Sequence, residues 1–236
     1  MSYPKLKKAM ILAAGYGTRL HPLTESKPKA LVEYKDLSLL EYVLKKIEEA
    51  GVEEVVINTH HLAEKVSEFV IERKSKVKID LIHEKEILGT GGAIANARKY
   101  FDGEKNVLVY NVDVISDFSI NEFYKFHLCN NSDVSLAVNK RVTSRSLLVN
   151  SEGLVIGMKK RNGDEIVVKK SLQISERAFC GVHIISENAL EKFSEVHFFG
   201  IIEFYMELIK SGHRIVTFDI GDSKWLDLGK DLSLVK

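Results

Sequence analysis

The stretch LAAGYGTRLHPLTESKPKALV, residues 12–32, decides how this chain is read. It overlaps an apolar run, Met10–Ala14, bounded by Gly15, the pattern of a strand buried on both faces of a parallel sheet with a ligand crevice at its carboxyl end. Gly15 and Gly17 let backbone N–H groups approach phosphate oxygens without a Cβ in the way. Thr18 adds a hydroxyl, Arg19 a planar fork for two oxygens, and Lys27 and Lys29 movable point charges. Pro22 and Pro28 punctuate the segment, so it reads as a long ordered loop rather than a helix. A P-loop needs glycine, four residues and then Gly-Lys-Ser/Thr, a spacing the chain lacks, and the dinucleotide fingerprint needs glycine where Leu20 stands. A glycine-rich turn with a solvated basic edge is the bland alternative, but it gives no reason for Thr-Arg and then Pro-Lys to follow. These residue types together predict a grip on polyphosphate, and hence a nucleotide ligand.

Outward from that segment, short β-rich runs alternate with stretches of helical period. A helix is expected over Leu39–Ala50, a strand over 53–59, a helix over Leu62–Glu72, a strand over 78–84, a helix from after Gly92 to Tyr100, and a strand over 106–113. That alternation predicts an α/β fold with a doubly wound, mostly parallel sheet, its strand ends carrying Arg19, Thr59, Gly89 and Asp113 along one edge. From Ser132 onward the texture changes to short runs separated by turns, with Asn162-Gly163 the strongest hairpin signal, which predicts a small antiparallel subdomain. FCGVHII reads as a further strand, followed by helices near Glu187–Phe193 and Ile201–Ser211 and a last strand RIVTFDI. The expected organisation is one domain over 1–236, with a nucleotide-binding half at 1–117 and an acceptor-binding half at 118–236.

With 236 residues, 45% hydrophobic and 28% charged, the chain can bury a substantial core. Thirty-four basic against 33 acidic side chains leave a net charge of +1, which argues against nucleic acid as a partner. Cys129 and Cys180 lie far apart, no signal peptide is evident, and no apolar run approaches the roughly 20 residues a bilayer requires, so a cytoplasmic protein without a membrane partner is expected. A homo-oligomer stays open.

Asp113, at the end of NVD, and Asp227, in WLDLG, each close a short apolar element; a carboxylate placed so emerges into a crevice, where a hard cation on phosphate oxygens would need it. A cap or turn aspartate is the alternative for each. LGTGGAI sets three glycines ahead of a helix, offering backbone N–H groups and close approach to a planar base. Glu84, acceptor-only, suits uracil or thymine N3–H or the N1–H and N2–H₂ edge of guanine, or else is a solvated loop residue. His60-His61 lacks partners at metal spacing, the cluster Arg73, Lys74, Lys76 and Lys78 reads as a solvated loop, and Cys180 as a small buried hydrophobe.

The signature GYGTRLHPLTESKPKALV resembles the G-x-G-T-R-L-x-P-L-T-x-x-x-P-K-x-L element of the sugar-1-phosphate nucleotidyltransferases, and the likeness continues through LGTGGAI (88–94), YNVDV (110–114), FCGVH (179–183) and WLDLG (225–229). The resemblance implies transfer of a nucleotidyl group from a nucleoside triphosphate to a sugar 1-phosphate. It assigns the triphosphate grip to Arg19 and Lys29, and Mg²⁺ to Asp113 and Asp227. It places Leu12, Ala13, Ala14, Gly15, Gly17, Thr18, Asn58, Glu84, Gly89, Thr90, Gly91 and Asn111 around the nucleotide, and Arg161 and Gly181 at the acceptor. The family's Glu-Lys-Pro element, which contacts sugar and phosphate, is absent; Lys160, Arg161 and Asn162 stand there, so a sugar-hydroxyl acceptor is missing and Arg161 is left as the phosphate clamp. Short N-acetylmuramate-1-phosphate uridylyltransferases are the most similar branch, which favours UTP; mannose- or heptose-1-phosphate guanylyltransferases are the alternative, and a non-catalytic nucleotide-sugar-binding regulator is the rival of another class.

Overall fold

The computed structural model describes residues 3–229. In chain order the first half comprises β1 (Lys8–Leu12), α1 (Leu23–Ser26), β2 (Glu33–Tyr34), β3 (Leu37–Ser38), α2 (Leu39–Glu49), β4 (Glu54–Thr59), α3 (Ala63–Glu72), β5 (Lys78–His83), α4 (Gly89–Ala97), β6 (Asn106–Asn111) and β7 (Val114–Ser116). The second half comprises α5 (Ile120–Cys129), β8 (Val134–Asn139), β9 (Ser146–Asn150), β10 (Val155–Lys159), β11 (Glu165–Val167), β12 (Ile174–Ser186), α6 (Glu187–Leu190), α7 (Ile201–Lys210), β13 (Ile215–Asp219) and β14 (Trp225–Asp227).

Ten strands form one sheet in the order β11-β10-β9-β12-β6-β1-β4-β5, with β8 against β12 and β13 against β8. The nucleotide-side strands β6, β1, β4 and β5 are all parallel, as the βαβ alternation requires. Side chains alternate across this sheet: Ala9 and Ile11 of β1 enter one apolar cluster, while Met10 enters the other. Both faces of β6, β1 and β4 are therefore covered, which is why these strands read as continuous apolar runs, whereas the edge strand β5, KIDLIH, alternates and is only partly buried. α2 covers one face with Leu39, Leu40, Val43, Leu44 and Ile47, all fully buried, each burial worth roughly 1.5–3 kcal/mol. Its start is fixed by Ser38, whose Oγ accepts from the Glu41 backbone N–H at 3.1 Å.

β12 is the hinge piece of the architecture. Its residues 182–186 lie antiparallel to β6, its residues 174–177 pair with β9, and β8 flanks it along 178–185 with a register shift between Phe179 and His183. Gly181 sits in that irregularity at φ +77, and a Cβ there would come within 2.9 Å of both Asn111 Nδ2 and Val114 Cγ2. Only glycine supplies the left-handed turn and the clearance together. The bend carries one strand from the parallel sheet into the antiparallel β9-β10-β11 unit, whose final hairpin turns at Asn162-Gly163.

Several boundaries differ from expectation for physical reasons. The first strand ends at Leu12, since the Ala13 N–H donates to the Asn58 side chain at 2.8 Å and leaves the ladder. Residues 13–32 contain 3₁₀ turns at Thr18–Leu20 and Lys29–Leu31 and the single turn of α1. α4 starts at Gly89, ahead of the three-glycine run's end, because the Gly91 N–H at its open amino end finds Phe199 O at 3.0 Å. The helix expected near Glu187–Phe193 is the single turn α6. Arg73 is no solvated loop residue: its guanidinium donates to Glu41 Oε2 at 2.6 Å and Glu48 Oε1 at 2.7 Å, tying the end of α3 to α2, and these carboxylates hold it firmly protonated, its pKa raised chiefly by Glu48.

Candidate active site

The register of the parallel strands builds the site. Leu12 on β1 stands opposite Asn58 on β4 on one side and Asn111 on β6 on the other, so three of the expected nucleotide residues form one row across the sheet at its carboxyl edge. Asn58 and Glu84 then couple two loops. The Ala13 N–H donates to Asn58 Oδ1 at 2.8 Å, Asn58 Nδ2 donates to Glu84 Oε1 at 2.7 Å, and the Leu88 N–H donates to Glu84 Oε2 at 3.1 Å. Glu84 is 2% exposed, so it is not the solvated loop residue of the bland reading; its carboxylate braces the signature loop against the glycine-rich loop. His60 serves the same junction, with Nδ1 2.7 Å from Glu84 O and Nε2 3.2 Å from the Tyr16 hydroxyl.

A cleft of about 230 Å³ opens over this row. Of the expected nucleotide residues, Leu12, Ala14, Gly15, Asn58, Glu84, Gly89, Thr90 and Asn111 line it, together with Lys29 and Asp113. A second cleft of about 370 Å³ lies on the other side of Asp113 and is lined by Arg19, Asn111, Asp113, Arg161, Gly181 and Asp227 among others. Asn111 and Asp113 belong to both walls. The two clefts therefore meet at one carboxylate.

Four expected residues lie outside both clefts. The Ala13 N–H is taken by Asn58; Gly17 packs against Thr24 and the Lys29 stem and accepts from Thr24 Oγ1 through its carbonyl at 2.9 Å. Thr18 opens the exposed 3₁₀ turn that aims Arg19. Gly91 lies under Phe199, whose ring would be 2.2 Å from an added Cβ, and Gly92 under the His197 carbonyl at 2.0 Å. These glycines admit the 197–199 segment, as does Gly89, whose added Cβ would lie 2.6 Å from Phe199 O, while Gly89 and Thr90 also line the first cleft.

The charged groups converge where the clefts join. Lys29 Nζ donates to Asp113 Oδ2 in an ion pair whose two side chains are each 12% exposed. Asp227 reaches the same place although 114 residues later, because β14 pairs antiparallel with β7, setting Asp227 opposite Val114, and the Leu228 N–H donates to Asp113 O at 3.0 Å. A methyl on Gly229 would lie 2.7 Å from Asp113 Oδ2, 3.1 Å from Arg19 Nη2 and 3.1 Å from Asp227 Oδ1. Three polar groups thus ring a small space that a side chain would fill. Among the described residues no group of three or more His, Cys, Asp or Glu side chains gathers to hold a metal. Two carboxylates supplemented by phosphate oxygens and water suit Mg²⁺, which is commonly held by one or two carboxylates plus substrate.

Sequence reasoning missed Arg141, Arg145 and Trp225 as parts of the second cleft. Arg141 lies 3.7 Å over the Trp225 ring and donates to Asn139 Oδ1 and Phe179 O, each at 2.7 Å. Trp225 in turn donates to Cys180 O at 2.9 Å. The available signal was two arginines on the single connection between β8 and β9, obscured because that connection read as an ordinary hairpin. Cys180 is buried, and burial pushes its thiol up to about 12, so it is no nucleophile.

The sheet, with a nucleoside-sized cleft at the carboxyl ends of its parallel strands and cations and carboxylates gathered at the cleft's end, defines a nucleotide-handling α/β protein. The nucleotidyl transferase family profile matches residues 8–146, and the chain belongs to that family. It is 34% identical over 191 residues to mannose-1-phosphate guanylyltransferase 1 of Arabidopsis thaliana and 32% identical over 189 residues to the mannose-1-phosphate guanylyltransferase catalytic subunit beta of Dictyostelium discoideum, each match covering 78% of this chain and 51% of the relative. The chain thus spans about half the length of the curated relatives it matches. Among solved structures it is similar to HddC from Yersinia pseudotuberculosis complexed with GMP-PN, with a TM-score of 0.74, 26% identity and 94% of each chain covered. A UDP-glucose pyrophosphorylase complexed with UDP-glucose shares the fold at a TM-score of 0.72 and 20% identity, covering 95% of this chain and 94% of that one. No helix among the described residues is long and apolar enough to cross a membrane.

Proposed function

We propose that this chain transfers a nucleotidyl group from a nucleoside triphosphate to a sugar 1-phosphate, releasing pyrophosphate, with GTP as the nucleotide. The observation that carries the reading is the meeting of two clefts at Asp113, beside Lys29, Arg19 and Asp227. Residues 1–117 supply the nucleotide side and 118–229 most of the acceptor side. Resemblance to short uridylyltransferases favoured UTP; the guanylyltransferase relatives and the GMP-PN named for HddC favour guanosine.

In this reading a phosphate oxygen of the acceptor attacks the α-phosphorus in line, forming one P–O bond as the bond to the bridging oxygen of pyrophosphate breaks. Little covalent chemistry falls to the protein, so positioning and charge neutralisation carry the rate. Arg19 grips the β and γ phosphates and takes up charge on the leaving group. Lys29, at the seam of the clefts, bridges the α-phosphate and the acceptor phosphate. Asp113 and Asp227 would hold Mg²⁺, which supplies charge neutralisation on the phosphate oxygens. The Asn58–Glu84 brace fixes the spacing between the triphosphate loop and the base loop.

A grid of GTP, UTP, dTTP, CTP and ATP against sugar 1-phosphates, with pyrophosphate detection, tests the assignment. Release dependent on both substrates and greatest with GTP is expected. Nucleotide-sugar binding without release from any pair would favour a non-catalytic regulator instead.

A further inference from the structure

We infer that the acceptor carries a second anionic group, a carboxylate or a further phosphate, in addition to its 1-phosphate. The inference rests on the nucleotidyl-transfer reading and names the class of sugar phosphate that the second cleft takes. Three guanidinium groups, of Arg141, Arg145 and Arg161, line that cleft together with Arg19, and among the described residues its lining carboxylates are Asp113 and Asp227, both at the junction with the nucleoside cleft. The outer cleft is therefore cationic without internal neutralisation. One phosphate dianion is satisfied by a single guanidinium fork, with Lys29 at the seam as a second partner. Two arginines remain.

A neutral sugar asks for different chemistry. Its hydroxyls donate, and carboxylate or amide side chains usually meet them; among the described residues the outer wall offers no carboxylate, its neutral polar side chains being Thr143, Ser144 and Ser146, with the one amide, Asn111, at the junction. The Glu-Lys-Pro element is replaced by Lys160, Arg161 and Asn162, which removes a hydroxyl acceptor, and of the three Arg161 lines the cleft. Arg141 is also pre-organised, since its contacts to Asn139, Phe179 and the Trp225 face hold the guanidinium in place. Arg145 is freer, with its nearest acidic group, Glu203, 3.9 Å away and both side chains more than half exposed, a pairing too weak to consume it. A fixed guanidinium, a solvent-exposed one and the missing hydroxyl acceptor fit a ring with an anionic substituent.

The test compares mannose 1-phosphate, mannose 1,6-bisphosphate and glucuronic acid 1-phosphate as acceptors with GTP and Mg²⁺, reading kcat/KM by pyrophosphate release. One anionic acceptor should exceed the neutral one by roughly tenfold or more, the return expected from one charge-assisted hydrogen-bonded pair; which of the two wins separates phosphate from carboxylate. Arg145→Gln should cut the ratio of anionic to neutral kcat/KM by about tenfold, whereas Arg161→Gln, at the shared 1-phosphate, should lower both acceptors alike and leave the ratio in place. Equal or greater turnover of mannose 1-phosphate, with that ratio unmoved in Arg145→Gln, overturns the inference and leaves nucleotidyl transfer standing. Absence of pyrophosphate from all three acceptors and from the wider grid overturns the transfer reading itself, and this inference with it.

Discussion

Glu84 shows how a single side chain can line a cleft and also brace the loops around it. As a sequence symbol it is an acceptor suited to a base edge; in the fold both of its oxygens are already accepting, one from Asn58 and one from Leu88. Glu84→Gln keeps one acceptor oxygen and turns an NH₂ toward a donor, so either Asn58 Nδ2 or the Leu88 N–H loses its partner in a buried setting. The expected cost is about 1–3 kcal/mol in urea unfolding, together with a rise in KM for the triphosphate as the two loops lose their fixed spacing. Unchanged stability and KM would remove Glu84 from the brace. The gathering of Arg19, Lys29, Asp113 and Asp227 was legible from residue type and motif, because carboxylates closing short strands and cations on a glycine-led loop have few structural uses. Arg141 and Arg145 were not, since only the bend of β12 brings their loop over the site.

Among the elements, α4 and β12 depart furthest from what sequence pattern conveys. The period-3.6 and continuous apolar signals located β1, α2, β4, α3, β5 and β6 to within a few residues, because both-face burial of parallel strands leaves a plain hydrophobic trace. The glycines of α4 carried a different message. They admit the backbone and ring of residues 197–199, which are remote in sequence, and no local pattern reports a close approach by a distant segment. Gly91→Ala is accordingly expected to destabilise although alanine is the better helix former: the new methyl would lie 2.2 Å from the Phe199 ring. Overpacking of about 1–3 kcal/mol outweighs a propensity gain of about 1 kcal/mol. A urea midpoint at or above that of the unmodified chain would contradict this packing.

For the whole molecule, two buried histidines contribute to the acid limb of stability, alongside carboxylates such as Glu48 and Asp133 whose partners hold them below the usual range. Burial lowers His127 to about 4 and His183 to about 3. Their ring nitrogens face Ser135 and Asn106 in one case and Tyr205 in the other, while His183 Nε2 has no partner among the described residues. In the unfolded chain both titrate near 6.5. Below that pH the unfolded chain binds protons that the fold refuses, so their contribution is complete above pH 6.5 and is lost as pH falls towards 4 and 3. Each should add about 1.4 kcal/mol per pH unit to the slope of unfolding free energy across its window. Urea titrations from pH 7 to 4.5 with His127→Gln should show a shallower slope than the unmodified chain; an identical slope would exclude His127 as a source.

At this same scale the second half closes the site. β14 folds back on β7 to deliver Asp227 beside Asp113, and the cations of residues 12–32 face them across the seam of two clefts. The most direct test is the turnover of Lys29→Ala against its thermal unfolding midpoint, measured by pyrophosphate release with GTP and the best acceptor of the grid. Loss of a transition-state charge partner predicts a fall in kcat of about 10²–10³ in a variant that still unfolds cooperatively above the assay temperature, with a midpoint lowered by the unpaired Asp113. Undiminished turnover in the folded variant would contradict the assignment of this junction as the place where the phosphates react.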